Sequence, residues 1–349
     1  MNRISSYQAA ALLIVSRLLA LSLYLPRPHE NPVITCVCAV LLCGLKWLLL
    51  MPAAQLVSRK RLFTSRTSAA VLSTVTALGA AVLLVMLTEQ FSALLGSFHP
   101  ERYSRFGITA VLLFICAYVA SMDRQGLART ASIILPVILG VMALIFIEMR
   151  GAMLPDRLNF FAPDPENAVV STFLRLLGGS VDLLLCACLM PLIDCRPTRT
   201  VGVYLTADAL MSLGFFLMAG SVLGSFSTGN LWFTLSCCTH GAVIDRSGAV
   251  FLAVMTVCEV LTCSALMLIT SRAVGHFFRR THQSTLLPVT AAVLTVLMLA
   301  MLSRNINVQE YAAKFTSSIG AAAVMTMLFS PLYTRKYLRT NNCEYPRKA

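Results

Sequence analysis

The chain has 349 residues, of which 57% are hydrophobic and only 12% are charged. A soluble domain of this size could not hide so much apolar surface, which excludes the water-soluble globular class. The net charge of +13 does not indicate nucleic-acid binding, because the basic residues form short clusters between apolar runs. The composition therefore predicts a membrane protein with several spans.

Ten apolar segments, each about long enough to cross the hydrocarbon core as a helix, follow one another along the chain. In order they are residues 7–25, 32–51, 69–94, 106–121, 128–148, 168–190, 199–223, 247–270, 285–303 and 315–333. Lipid offers no partners for free backbone groups, so only helices are expected. We therefore predict an all-α polytopic membrane protein, with residues 1–349 forming a single transmembrane domain.

The loops between these segments alternate in charge. One set, which includes both termini, carries 17 basic residues, and the other set carries 8. Basic residues are enriched in cytoplasmic loops. Both termini are therefore predicted to be cytoplasmic, with 149–167 as an outer loop and 336–349 as a cytoplasmic tail.

Four ionisable residues fall near the middle of predicted spans: Arg17, Asp182, Asp208 and Glu259. A central charge costs about 2.5–3.5 kcal/mol on insertion scales, so we expect these side chains to point inward. Arg17 is predicted to lie within direct or water-bridged reach of Asp182 or Glu259. The three carboxyl groups are candidate proton- or ion-coupling sites, since intramembrane acids often form proton relays.

Two further basic residues lie off centre within predicted spans. Lys46 lies in the inner part of span two, and we expect its long side chain to reach the cytoplasmic interface. Arg175 lies in the outer half of span six and is expected to reach outward in the same way. The predicted internal polar cluster therefore has one cation, Arg17, among the three carboxylates, without Lys46 or Arg175.

The sixth span contains the stretch FLRLLGGSVDLLL, residues 173–185. Each glycine weakens a helix by about 1 kcal/mol relative to alanine, so the pair predicts a loss of helical hydrogen bonding near 178–181. A broken helix exposes backbone groups that attract a carboxylate or similar anion, although small residues can instead serve close helix packing. The candidate binding residues are Arg17, Ala20, Ser22, Gly178, Gly179, Ser180 and Asp182.

The first and sixth spans share a short pattern. SRLLALSLYLP (Ser16–Pro26) and LRLLGGSVDLL (Leu174–Leu184) both contain Arg-Leu-Leu followed by a serine. These spans begin two five-span halves, which favours a 5+5 inverted repeat. The first repeat is predicted over 5–148 and the second over 168–335.

The chain has no nucleophile elbow, zinc-protease motif or Walker loop, and its cysteines have no histidine at zinc-finger spacing. No enzyme activity, cofactor or metal site is therefore predicted. ATP-driven transport by this chain alone is also excluded, because a nucleotide-binding domain is missing.

Three stretches resemble the spore germination permeases, the B-type subunits of spore germinant receptors. Phe114–Pro163 contains the AYVAS run, Arg129, Pro136, Asn159 and Pro163 in the family's order. The opening resembles the family's I-S-x-x-Q at Ile4, Ser5 and Gln8, and Val243–Leu261 resembles the stretch that carries Arg246 into span eight. One departure is Arg17, which stands where family members usually have a glycine.

The resemblance implies the LeuT-type fold of the amino acid, polyamine and organocation transporters, with a pocket between spans one, three, six and eight. It implies a small germinant, often an amino acid, and as partners an A-type membrane subunit and a C-type lipoprotein. The location would be the spore inner membrane or the cell membrane. Arg17 could bind a ligand carboxylate directly or pair with Asp182 or Glu259. An ion- or proton-coupled amino-acid transporter and a non-binding scaffold subunit are the alternatives.

Overall fold

The computed structural model describes residues 4–24, 30–58, 66–98, 105–122, 124–158, 165–178, 180–193, 197–224, 247–277 and 283–303. Within these ranges the regular structure is helical, as the composition predicts. The α-helices are α1 (Ser6–Ser22), α2 (Pro32–Ser58), α3 (Arg66–Phe98), α4 (Arg105–Ser121), α5 (Arg124–Met149), α6 (Pro165–Gly178), α7 (Val181–Leu189), α8 (Pro197–Leu223), α9 (Ser247–Phe277) and α10 (Gln283–Ser303). Short 3-10 turns cover Arg150–Ala152, Pro155–Arg157 and Met190–Leu192.

The first nine predicted spans correspond to these helices, with ends that differ by a few residues. The sixth predicted span is represented by two helices, α6 and α7. The tenth predicted span, 315–333, lies outside the described residues.

Apolar side chains cover the outer faces of the helices. Phe114, Ile133 and Leu210 are 76%, 73% and 68% exposed, which suits contact with lipid tails. In the part of the chain that the structure describes, six helical segments are long and apolar enough to cross a membrane: Pro32–Gln55, Thr74–Leu95, Arg124–Ala152, Val169–Leu189, Pro197–Leu223 and Ala249–Arg272. The chain is therefore an integral membrane protein.

The helices pack as two groups. Helices α1, α2, α6, α7 and α8 form the first group, and α3, α4, α9 and α10 form the second group. The groups meet where α1 packs on α9 and where α3 and α9 contact α7, and α5 packs against both α1 and α9. Spans one, three, six and eight therefore meet at this junction.

The first helix starts with a capping box. The Ser5 hydroxyl accepts a hydrogen bond from the Gln8 backbone, and the Gln8 side chain accepts one from the Ser5 backbone. This exchange satisfies two backbone donors that a helix N-terminus otherwise leaves free. Ile4 is buried and its backbone N–H donates to Leu192 at 3.0 Å, beyond the end of α7. The Ile-Ser-x-x-Gln pattern thus has a structural role here, because it starts α1 and attaches it to the end of the sixth span.

The sixth span is interrupted, as its glycines predict. Helix α6 ends at Gly178 and α7 begins at Val181, and Ser180 between them has the non-helical angles φ −82° and ψ 67°. Helix α1 is continuous from Ser6 to Ser22 and contains no glycine. The first and sixth spans begin the two predicted repeats, and of these two the sixth, which has the glycine pair, is interrupted.

Within the first group, α2 and α8 approach each other very closely. At Gly220 a Cβ atom would lie 2.6 Å from Cβ of Pro32, closer than side chains approach. Glycine therefore lets α8 reach the start of α2. This contact fixes the spacing of two helices that contribute charged residues to the site.

Candidate functional site

Four charged side chains meet inside the first helix group, and we call them the charge quartet: Arg17, Lys46, Asp182 and Asp208. They come from α1, α2, α7 and α8 respectively, and each is at most 2% exposed. Asp182 is the second residue of α7, just after the interruption of the sixth span. The quartet thus brings one residue from each of four spans to the break.

The quartet is joined by direct ion pairs. Lys46 Nζ lies 2.7 Å from Asp182 Oδ2 and 2.8 Å from Asp208 Oδ2, so one ammonium bridges both carboxylates. Arg17 Nε donates to Asp208 Oδ1, and Arg17 Nη1 lies 3.8 Å from Asp182 Oδ1. Two cations face two carboxylates, so the quartet is electrically neutral.

Two hydroxyl groups complete the network. Tyr204 donates a hydrogen bond to Asp182 Oδ2. Ser212 donates to Asp208 Oδ1 at 3.1 Å, and Arg17 Nη2 donates to Ser212 Oγ at 3.0 Å. These contacts satisfy most of the polar atoms, which is the condition for tolerating buried charges.

One atom of the quartet has no hydrogen bond. Asp182 Oδ1 is buried and accepts no hydrogen bond from the described residues, because its ion-pair partner Arg17 Nη1 lies 3.8 Å away, too far for a hydrogen bond. A carboxylate oxygen accepts hydrogen bonds only. The quartet therefore contains one buried carboxylate oxygen that lacks a hydrogen-bond donor, and it lies two residues beyond Ser180.

Arg17 and Asp182 lie near each other, as their similar depths in the predicted spans indicate. The hydrogen bond between Ile4 and Leu192 fixes the start of the first span beside the end of the sixth span. Arg17 lies 13 residues after Ile4 and Asp182 lies 10 residues before Leu192. At 1.5 Å per helical residue these separations are about 20 and 15 Å, so both residues reach similar depths.

The prediction for Lys46 is wrong. Its side chain is fully buried and lies between two aspartates instead of reaching the cytoplasmic interface. Two buried carboxylates held by one arginine would leave an uncompensated charge, and Lys46 removes it. The expectation of one cation among three carboxylates is corrected accordingly.

The third carboxylate, Glu259, is not joined to the quartet by an ion pair or hydrogen bond in the described ranges. It lies in α9 of the second group and is completely buried. Its Oε1 accepts a hydrogen bond from Cys263 Sγ at 3.0 Å, and its Oε2 has no hydrogen-bond partner there. Glu259 therefore belongs to a different environment from Asp182 and Asp208.

The remaining candidate residues are less directly engaged. Ala20 is half-buried against the apolar core. Ser22 and Ser180 are buried, and their hydroxyls donate to the carbonyls of Leu18 and Leu176, one turn earlier in the chain. Gly178 is the last residue of α6, and Gly179 lies outside the described residues.

A second polar cluster lies near the start of α2, around Glu30. Tyr24 and Thr35 donate to Glu30 Oε1 at 2.6 and 2.9 Å, and Arg175 Nη1 lies 3.5 Å from Glu30 Oε2. The Arg175 side chain is 24% exposed, so the expected outward reach is only partial. This ion pair connects α6 to the segment between α1 and α2.

Sequence reasoning missed three members of the network: Lys46 as a partner, Tyr204 and Ser212. A signal for two of them was present, because Tyr204, Asp208 and Ser212 are spaced four residues apart and share one face of α8. For Lys46 no such signal exists, since a lysine that is off centre in a span usually reaches an interface. No group of three potential metal ligands was found among the described residues.

Comparison with known proteins identifies the fold. No protein-family model matches the chain, and no curated protein matches it significantly. The chain is similar to the structure of Mhp1, a nucleobase-cation-symport-1 family transporter, in a closed conformation with bromovinylhydantoin bound. The TM-score is 0.68 at 15% identity, over 96% of this chain and 80% of that one. The fold is of the LeuT type.

The inward-facing conformation of Mhp1 is also similar, with a TM-score of 0.56 at 14% identity, over 96% of this chain and 78% of that chain. The expected all-α fold with a 5+5 inverted repeat is thereby confirmed. These comparisons do not confirm the resemblance to spore germination permeases, which stays a prediction. The charge quartet lies within the first helix group, on α1, α2, α7 and α8, and two of these helices, α1 and α7, also contact the second group.

Proposed function

We propose that the chain is a secondary transporter that binds a small molecule with an amino group, such as an amino acid, beside the interrupted sixth span. The observation that carries the proposal is Asp182 Oδ1, a buried acceptor without a hydrogen bond just after the break. An ammonium group would supply the missing donor. A LeuT-type fold and a transporter as structural neighbour support this choice.

The proposed site uses the candidate residues in different ways. Asp182 accepts from the ligand's amino group, and Gly178, Gly179 and Ser180 provide the loosened backbone that receives its carboxylate. Ala20 and Ser22 contribute the α1 wall. Arg17 acts through Asp182 and Asp208, because its guanidinium is already held by Asp208 and Ser212.

Transport against a gradient requires a coupling ion. Asp182, Asp208 and Glu259 are the buried carboxyl candidates for binding it, and the chain has no ATP-binding motif. In the proposed orientation both termini are cytoplasmic, in line with the excess of basic residues in that set of loops.

The second candidate is the B-type subunit of a spore germinant receptor. It is favoured by the ordered motifs of Phe114–Pro163 and by the capped start at Ile4, Ser5 and Gln8. The same site would then sense a germinant in the spore inner membrane and signal to an A-type subunit and a C-type lipoprotein. A scaffold subunit without a ligand is the third candidate.

Ligand-dependent stabilisation of the purified protein tests the proposal. We expect L-alanine or another amino acid to raise the melting temperature, with about 2.7 kcal/mol of stabilisation at about 100 times its Kd. Propionate is the matched control, because it lacks the amino group that Asp182 would accept. Equal stabilisation by both compounds would contradict the assigned role of Asp182, and no stabilisation by any amino acid would favour the scaffold subunit.

Uptake separates the first two candidates. A transporter reconstituted in proteoliposomes should accumulate the amino acid that stabilises it. A sensor should bind the same amino acid without accumulating it, and its deletion should abolish germination with that nutrient. Accumulation without any germination defect would overturn the receptor candidate.

A further inference from the structure

Among the described residues, Asp182, Asp208 and Glu259 are completely buried, and their carboxyl groups have different capacities to exchange a proton. Asp182 and Asp208 each lie within 4 Å of both Lys46 and Arg17. Protonating either one would leave a buried cation without compensation, which is costly. The two cations of the quartet therefore favour the ionised forms of these two carboxyl groups.

Glu259 has no such compensating cation within the described ranges. It is completely buried, and no cation forms an ion pair with it among the residues that the structure describes. One oxygen accepts from the Cys263 thiol at 3.0 Å, and the other has no partner there. Burying an isolated carboxylate costs much free energy, whereas burying the neutral carboxylic acid costs little.

The groups around Glu259 are uncharged or weakly acidic. Cys258 and Cys263 lie on α9 itself, and Cys263 also contacts Cys116 of α4. On α3, the Thr88 hydroxyl lies 3.8 Å from Cys263 Sγ. In the described ranges no charged group of α1, α5, α7 or α10 pairs with Glu259, since the charges of α1 and α7 pair within the quartet.

Helix α9, which carries Glu259, contacts both helix groups. Helix α9 packs on α3 and α4 within the second group and on α1 and α7 across the junction between the groups. A change in how the groups pack would therefore change the surroundings of Glu259. The electrostatic state of Glu259 would in turn bias that packing.

We propose that Glu259 is the site that binds the coupling proton, which makes the chain a proton-coupled transporter. This inference rests on the proposed transport function and assigns its coupling ion. The proton forms an O–H bond with the Glu259 carboxylate on one side of the cycle, and the same bond breaks when the proton leaves on the other. Asp182 and Asp208 keep their charges throughout.

Infrared spectroscopy of the protein in nanodiscs tests the proton site without a substrate. At neutral pH we expect a carbonyl-stretch band of a protonated, buried carboxylic acid that disappears in Glu259→Gln. Asp156→Asn is the matched control, because Asp156 is exposed in a 3-10 turn and its removal should leave the band intact. A band that survives Glu259→Gln, or no acid band in the wild type, would overturn the proton site.

Transport tests the coupling role. With labelled L-alanine as the probe and the membrane potential clamped, an inside-alkaline gradient of about one pH unit should sustain about tenfold accumulation by the wild type. Glu259→Gln should lose this accumulation, while Asp156→Asn should retain it. Accumulation by Glu259→Gln that still follows the pH gradient would overturn the inference. No uptake by the wild type would overturn transport of L-alanine, and the infrared band would still decide whether Glu259 binds a proton.

Discussion

Replacing Lys46 by methionine is expected to reduce the free energy of unfolding by about 3–5 kcal/mol. Methionine fills a similar volume, but it removes the ammonium that bridges Asp182 and Asp208 at 2.7 and 2.8 Å. Two buried carboxylates would then face only Arg17. Reversible unfolding in mixed detergent micelles measures the change.

The control for this variant is Leu48→Met, two residues along the same helix. Leu48 is 68% exposed on the outer face of α2. The free energy of unfolding of Leu48→Met is therefore expected to lie within about 0.5 kcal/mol of that of the wild type. If Lys46→Met were as stable as Leu48→Met, Lys46 would not be a member of the quartet. Its side chain would then reach the interface, as the sequence pattern favours.

Replacing Gly178 and Gly179 together by alanine is expected to separate stability from binding. Alanine favours the helix by about 1 kcal/mol per position relative to glycine, so the unliganded protein should be as stable as wild type or more stable. A straightened sixth span would move Asp182 and the backbone at the break away from the proposed ligand. We expect the affinity for the stabilising amino acid to fall at least about tenfold, or about 1.4 kcal/mol.

Thermal-shift titration of the double variant measures this loss. Gly214→Ala in α8 is the matched control, because a Cβ atom there would meet nothing within 4 Å. Normal affinity in the glycine double variant would show that the pair serves helix packing and that the ligand binds elsewhere.

Most of the fold could be predicted from the sequence because the bilayer restricts the choices. Long apolar runs must become helices, and their lengths are set by the hydrocarbon core. The interruption after Gly178 was predictable for a local reason, since two adjacent glycines carry the weakest helix propensity available without proline. The two-group packing was not predictable from composition, because the outward faces of most helices are as apolar as the inward ones.

The site was predicted in part. Depth along the helices was enough to predict that Arg17 and Asp182 lie close together, because both positions can be counted from the bilayer surface. Depth does not specify rotation about the helix axis, and this is why Lys46 was assigned to the interface and Glu259 was predicted as an alternative partner of Arg17. The contacts of Lys46 depend on which face of α2 packs on α8. The sequence of α2 does not indicate that face, because it is almost uniformly apolar.

The proposed site depends most on one structural claim, namely that two cations and two carboxylates form a neutral network across α1, α2, α7 and α8. A double-mutant cycle between Lys46→Met and Asp182→Asn tests that claim most directly, with unfolding free energy as the readout. We predict that the double variant, which restores charge balance, is more stable than Lys46→Met alone, with a coupling energy of about 2–3 kcal/mol. Additive effects of the two substitutions would show that these side chains do not interact, and would contradict the network.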